Sequence, residues 1–207
     1  MKRLAPGGLR ERKKQKTREA IQREAMRLFQ EQGYEVTTIE QIAEAAEISP
    51  STFFNYFPTK EDVVILDPYD PLFVSVFLGR PPDESLGQAL RHTFTEGLAG
   101  VFERDREIIL ARSRLIMAVP ALRARIWEEL ERSHDLFCTV VAERTGRDPH
   151  DFRLRVTSMM LIGAMFAAEM EWLRHDGRED MVELVERALA IVEAGAPLDA
   201  LDAPAPA

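Results

Sequence analysis

The run Thr37-Thr38-Ile39-Glu40-Gln41-Ile42-Ala43-Glu44-Ala45-Ala46-Glu47-Ile48-Ser49-Pro50-Ser51-Thr52-Phe53-Phe54-Asn55-Tyr56-Phe57-Pro58-Thr59-Lys60-Glu61-Asp62 contains three helix starts in quick succession. At the first, either threonine serves as N-cap, because Thr37 pairs with Glu40 and Thr38 with Gln41 as a capping box. At the second, Ser49 is the N-cap and Pro50 sits at the first helical position, where its missing N–H is no loss. Pro58 stops that helix, and Thr59 caps the next, whose first turn carries Glu61 and Asp62 on the favourable side of the helix dipole. The spacing predicts helices from about Ile39 to Ala46 and from Pro50 to about Tyr56.

Upstream, Ile21, Ala25, Leu28 and Phe29 recur at helical spacing, predicting an amphipathic helix over Thr17–Gln32 that Gly33 closes. Two short helices joined by a tight connection and supported by a third read as a helix-turn-helix. Ile21, Ala25, Leu28, Phe29, Ile39, Ile42, Ala43, Ala46, Ile48, Phe53 and Phe57 supply its core. Ser49, Ser51, Thr52, Asn55 and Tyr56 are left for the outer face, mostly as short hydrogen-bonding side chains suited to a DNA groove.

Charge is distributed to match. Residues 1–60 hold 11 Lys/Arg against 8 Asp/Glu, whereas residues 61–207 hold 16 against 27. Lys2, Arg3, Arg10, Arg12, Lys13, Lys14, Lys16 and Arg18 face a single acid, Glu11, before residue 19. Residues 1–14 are thus expected as a flexible basic arm, either a solvated terminus or a contact to a polyanion.

The chain has 207 residues, 45% hydrophobic and 30% charged, enough for a packed core. One cysteine, Cys138, makes neither an internal disulfide nor a thiolate metal cage, and Met1–Gly8 lacks an apolar signal region, so the cytoplasm is the expected compartment. The nearly apolar stretch Met159–Ala168 is shorter than a bilayer span of about 20 residues, so no membrane partner is expected. Past residue 65, a short helix at most is expected over 72–79. Longer ones follow over about Ser85–Arg104, Asp105–Val119, Ala121–Thr145, Pro149–Arg174 and Glu179–Ala194. Residues 196–207, rich in Ala and Pro, are expected as a disordered tail.

The segment from Gly33 to Ala46, together with Ile48–Glu61, resembles the DNA-binding domain of the TetR family of transcriptional regulators, over about residues 15–65. The resemblance implies an all-α chain. A helix-turn-helix domain at 15–60 would be joined to a helical effector-binding and dimerisation domain at 61–195. It further implies a homodimer on a palindromic operator, with the third helix in the major groove and with Thr38 and Lys60 touching phosphates. The DNA-contacting set is Thr38, Ser49, Ser51, Thr52, Asn55, Tyr56 and Lys60. Where the family usually has a tyrosine near the end of the third helix, this chain has Phe54. Tyr56 stands two residues on, either a replacement contact or a partly buried ring.

In the family the last two helices build a four-helix dimer interface. Gly163, Ala164, Ala167, Leu184, Ala188 and Ile191 are the candidates here. An effector site among the central helices is also implied, with Phe94, Phe102, Met117, Trp127, Phe137, Met159, Phe166 and Met170 as candidate walls, although these side chains suit an ordinary core equally. Phe53–Phe57 and Asp67–Pro71 are similar to the mycofactocin-type branch, which implies a small hydrophobic or acyl-CoA-like effector. Arg112, Arg114 and Arg123 are either anchors for an anionic head group or partners of nearby acids. No cofactor is expected. Glu131 and His134 have the Glu-x-x-His spacing of di-iron bundles, but no second pair accompanies them, so a helical-bundle enzyme or metal-binding protein is the weaker alternative.

Overall fold

The computed structural model describes residues 9–66, 69–97 and 99–195, and all its regular elements are helices. The first eight residues of the basic arm, Asp67-Pro68 and the Ala/Pro tail lie outside the described residues. Eleven α-helices occur among those described: α1 (Leu9–Gln32), α2 (Ile39–Ala45), α3 (Pro50–Phe54), α4 (Lys60–Ile65), α5 (Asp70–Gly79), α6 (Leu86–His92), α7 (Ala99–Ala118), α8 (Pro120–Ala124), α9 (Ile126–Thr145), α10 (Phe152–Arg174) and α11 (Met181–Glu193), with a π-helical turn at Thr93–Gly97. Two compact units result. Among the described residues, the head comprises those up to Asp70 together with Ala111–Ile126, and the body comprises Pro71–Leu110 and those from Trp127 onward.

In the head, Ile21, Ala25, Phe29, Ile42, Ala43, Phe53 and Phe57 meet in one core, as their spacing predicts. Val63, Val64, Ile65 and Leu122 complete it. The boundary expected at residue 60 therefore moves, because α4 buries its apolar residues in the head and α8 closes over them. The C-terminal carbonyls of α4 are satisfied from two sides. Gln22 donates to Val63 O and Leu66 O at 3.2 and 3.0 Å, and Arg112 donates to Val64 O and Ile65 O at 2.6 and 2.8 Å. Arg125 pairs with Asp62 at 2.9 Å, the same carboxylate that caps α4 with Thr59.

Helix α1 begins eight residues before the expected start, so residues 9–14 are helix rather than flexible arm. Gly33, at φ +96°, closes it. The turn between α2 and α3 is built on Glu47, a non-glycine residue at φ +55°. Its N–H donates to Glu44 O, and the Ile48 N–H donates to Ala43 O at 2.9 Å, the paired bonds of a Schellman ending.

In the body, α10 and α11 pack along their length, each capped by an aspartate, Asp151 and Asp180. Phe73, Phe77, Phe94 and Phe137 form an aromatic cluster, with Phe73 within 5.1–6.0 Å of the other three ring centroids. Arg144 holds the turn after α5 by donating to the carbonyls of Arg80, Pro81 and Glu84. Glu84 accepts from Arg80 and pairs with His92; the Arg80 bonds hold the pKa of its carboxyl down at about 2.

Other helices also differ from expectation: the one expected over Ala121–Thr145 is divided at Arg125 into α8 and α9. Asp70–Gly79 is a full α5 of ten residues. The uninterrupted helix expected over Ser85–Arg104 is broken instead at Thr93–Gly97, while α7 runs through Arg104-Asp105. The break has a packing cause: a Cβ at Gly97 would lie 2.5 Å from Val76 Cγ1, so the backbone there approaches α5 more closely than another residue allows. Thr93 and Thr95 also donate to the carbonyls of Ala89 and Arg91, competing with the helical ladder.

Candidate nucleic-acid interface

The structure selects between the two capping boxes. Thr38 Oγ1 accepts from Gln41 N–H, and Gln41 Oε1 accepts from Thr38 N–H. Thr37 is 1% exposed and donates its hydroxyl to Gly33 O at 2.7 Å. Thr38 is therefore the threonine left at the surface, with its hydroxyl proton still able to reach an acceptor outside. On α3, Ser49 Oγ caps Thr52 N–H and lies 2.9 and 2.8 Å from the hydroxyls of Ser51 and Thr52. Three of the expected DNA-contacting residues thus form one hydroxyl cluster around the start of this helix. Asn55, its C-cap, is exposed, and Tyr56 is half-buried.

Lys60 is placed differently from the expectation. Its ammonium donates to Tyr34 O and Thr37 O at 2.8 and 3.1 Å and sits 4.2 Å from the Tyr34 ring centroid. Much of its donor capacity is spent on tying α4 to the loop before α2. Tyr34 in turn donates to Glu61 Oε1 at 2.8 Å, and burial together with that carboxylate pushes the phenol's pKa upward. Lys60 thereby ties the start of α4 to the loop that leads into Thr38.

An open cleft of about 630 Å³ runs between α1 and α3, lined by Arg10, Lys13, Lys14, Thr17, Thr52, Asn55 and Tyr56. The α1 residues follow the i, i+3, i+4, i+7 pattern of one helix face. That periodicity is present in the sequence, but in a stretch so rich in charge it does not show which surface the helix faces. Three cations thus face the amide, hydroxyl and phenol groups of α3 across a space open to solvent. Close by, Arg18 covers the buried Phe57 ring at 4.9 Å, and burial lowers its pKa.

The candidate effector residues belong to both units. Phe94 and Phe137 share the aromatic cluster, and Phe102, Phe166 and Met170 are half-buried in the body. Met117 belongs to the head. Trp127 is 73% exposed and Met159 lies at the surface of α10, so neither lines the cluster. Arg112, Arg114 and Arg123 all belong to the head, and Arg112 is committed to the end of α4. Among the candidate interface residues, Gly163, Ala167 and Ile191 are exposed and Ala164 and Ala188 are half-buried. Leu184 is buried in the body itself.

His134 is buried, donates through Nε2 to Arg155 O at 2.9 Å and accepts from the Arg155 guanidinium. Both ring nitrogens are engaged within the protein, and Glu131 is exposed.

A three-helix core that presents a short, hydroxyl-rich third helix beside a cationic cleft defines a helix-turn-helix DNA-binding protein, here followed by an all-helical body. Residues 21–65 match the family described as bacterial regulatory proteins, tetR family, and residues 84–197 match the MftR C-terminal domain. The chain belongs to the TetR family of transcriptional regulators. It is similar to the HTH-type transcriptional regulator TcmR of Streptomyces glaucescens, at 36% identity over 178 residues covering 82% of this chain and 79% of TcmR. It also resembles Thermus thermophilus FadR, a TetR-family repressor solved in complex with lauroyl-CoA. That match has 30% identity and a TM-score of 0.55, covering 92% of this chain and 99% of that one. The fatty acid metabolism regulator protein of Bacillus subtilis is 23% identical over 184 residues, 83% of this chain and 91% of that protein. These relatives are regulators of transcription, and an enzymatic role for Glu131 and His134 finds no support among them.

Proposed function

We propose that the chain is a homodimeric repressor that binds a palindromic operator and is released from it by an acyl-CoA-like effector. The cationic cleft beside α3 carries the DNA-binding part of this reading. Arg10, Lys13 and Lys14 would take phosphates while Ser51, Thr52, Asn55 and Tyr56 approach the groove, with Thr38 donating to a further phosphate. Thr52, Asn55 and Tyr56 line the same cleft as the three cations, which favours Tyr56 as a contact in place of the phenol missing at position 54.

Two copies are favoured by the outer side of α10. Phe152 (81% exposed), Val156, Met159, Met160, Gly163 and Ala167 follow one another at helical spacing, and Ile191 of α11 is 61% exposed. By length and composition alone α10 is apolar enough to span a membrane. A face buried against a second copy accounts for that character without a bilayer, and a dimer gives one α3 to each half-site about 34–36 Å apart. Such a regulator would act in the cytoplasm, where its operator lies.

The acyl-CoA part rests on the likeness of the body to the MftR C-terminal domain and on the lauroyl-CoA bound by Thermus thermophilus FadR. The cluster of Phe73, Phe77, Phe94 and Phe137, with the π-turn beside it, is where an acyl chain would displace aromatic packing. An effector acts only through its preference for one of two conformations, so equal binding to both would leave the operator occupied.

Selection of bound fragments from random DNA by the purified full-length chain tests the operator reading. An enriched palindrome is expected. Equal recovery of all sequences at every salt concentration would overturn it.

A further inference from the structure

Phe54 ends α3 with 52% of its surface exposed, directly after the fully buried Phe53. Its ring stands edge-on to Phe53, with centroids 5.6 Å apart and planes at 86°. One side of the phenyl is therefore fixed against the core while the other faces solvent, at a cost in apolar exposure that a covering partner would relieve.

Helix α3 presents two kinds of surface. Thr52, Asn55 and Tyr56 line the cationic cleft with Arg10, Lys13 and Lys14, the chemistry of phosphate binding. Phe54 is outside that cleft and shares its helix face with the exposed Ser51, three residues earlier. A phenyl ring has no donor for a phosphate and no polar atom for a base edge. The apolar group that B-DNA offers in its major groove is the C5-methyl of thymine.

We infer that Phe54 reads one thymine in each half-site through its C5-methyl group, an assignment that rests on the operator-binding role proposed above. The cleft then grips the backbone on one side of α3, and the opposite side supplies a sequence choice that depends on a single methyl group.

The test uses the full-length chain and its selected operator, with each symmetric pair of thymines replaced in turn by deoxyuridine, which keeps base pairing and removes only the methyl. For the unsubstituted protein one pair is expected to weaken binding about fourfold per half-site, more than tenfold for both. Phe54→Ala should bind that operator more weakly and be indifferent to the replacement. Phe54→Tyr should keep the sensitivity, as should Ser51→Ala. Position 54 is half exposed, so Phe54→Ala should keep one cooperative melting transition, lowered only by the loss of the edge contact with Phe53, and this checks that the variant is folded. Sensitivity at no thymine, or the same weakening at the same thymine in Phe54→Ala, would overturn the assignment. So would a Phe54→Ala defect equal on thymine and deoxyuridine operators, which marks contact with sugar alone. Failure to enrich any operator would instead defeat the DNA-binding reading itself.

Discussion

Helices α2, α3, α4 and α8 of the head have 7, 5, 6 and 5 residues, whereas α9, α10 and α11 of the body have 20, 23 and 13. Helices as short as the first set do not persist alone. They are held by Thr38, Ser49 and Thr59 as caps, by the burial of Phe53 and Phe57, and by Gln22 and Arg112 on the end of α4. The longer helices of the body leave a continuous apolar face of α10 in solvent and carry a π-turn beside an aromatic cluster. The short helices of the head are thus held by contacts within the head itself. The body has surfaces that only a further molecule completes, which suits a rigid reader coupled to an adaptable sensor.

Removing the cleft's charge should separate the two regions most strongly. The triple change Arg10→Ala, Lys13→Ala, Lys14→Ala takes away six cations in a dimer. The slope of log affinity against log salt should fall by about 0.9 for each phosphate that is no longer neutralised, hence by about 5. Titrations of a labelled operator across salt concentrations measure this, and the body's melting transition should not move. An unchanged slope would remove α1 from the interface.

A smaller and opposite effect is expected at the turn of the helix-turn-helix. Glu47 has a left-handed backbone at φ +55°, which costs a residue with a Cβ about 1 kcal/mol and costs glycine little. Glu47→Gly should therefore stabilise the head by up to about 1 kcal/mol in chemical denaturation, the gain being reduced by the greater freedom of glycine in the unfolded chain. Destabilisation would mean that the Glu47 side chain contributes more than its backbone costs.

The same contrast explains what could be read from the sequence. Caps, the Gly33 stop and the helical placement of Ile42, Ala43, Phe53 and Phe57 are local signals, and the head follows them closely. Thr37 and Thr38 could not be told apart by spacing, because the choice depends on which hydroxyl the fold buries. The commitment of Lys60 to two carbonyls is likewise invisible without the loop beside it. In the body, the break at Thr93–Gly97 arises from the approach of Gly97 to Val76, a contact between residues 21 positions apart that leaves no local mark. Leu184 and Ile191 share an amphipathic helix, but the sequence does not say which side meets α10. Trp127 suits a pocket by composition and stands in solvent by packing.

The most direct measurement is the release of the selected operator from the full-length chain by lauroyl-CoA, followed by fluorescence anisotropy at constant salt, with coenzyme A alone as the control. The expected result is that lauroyl-CoA lowers operator affinity at least tenfold while coenzyme A leaves it unchanged. Equal operator affinity with saturating lauroyl-CoA demonstrably bound would contradict it, because a ligand that binds both conformations equally cannot be the signal the body senses.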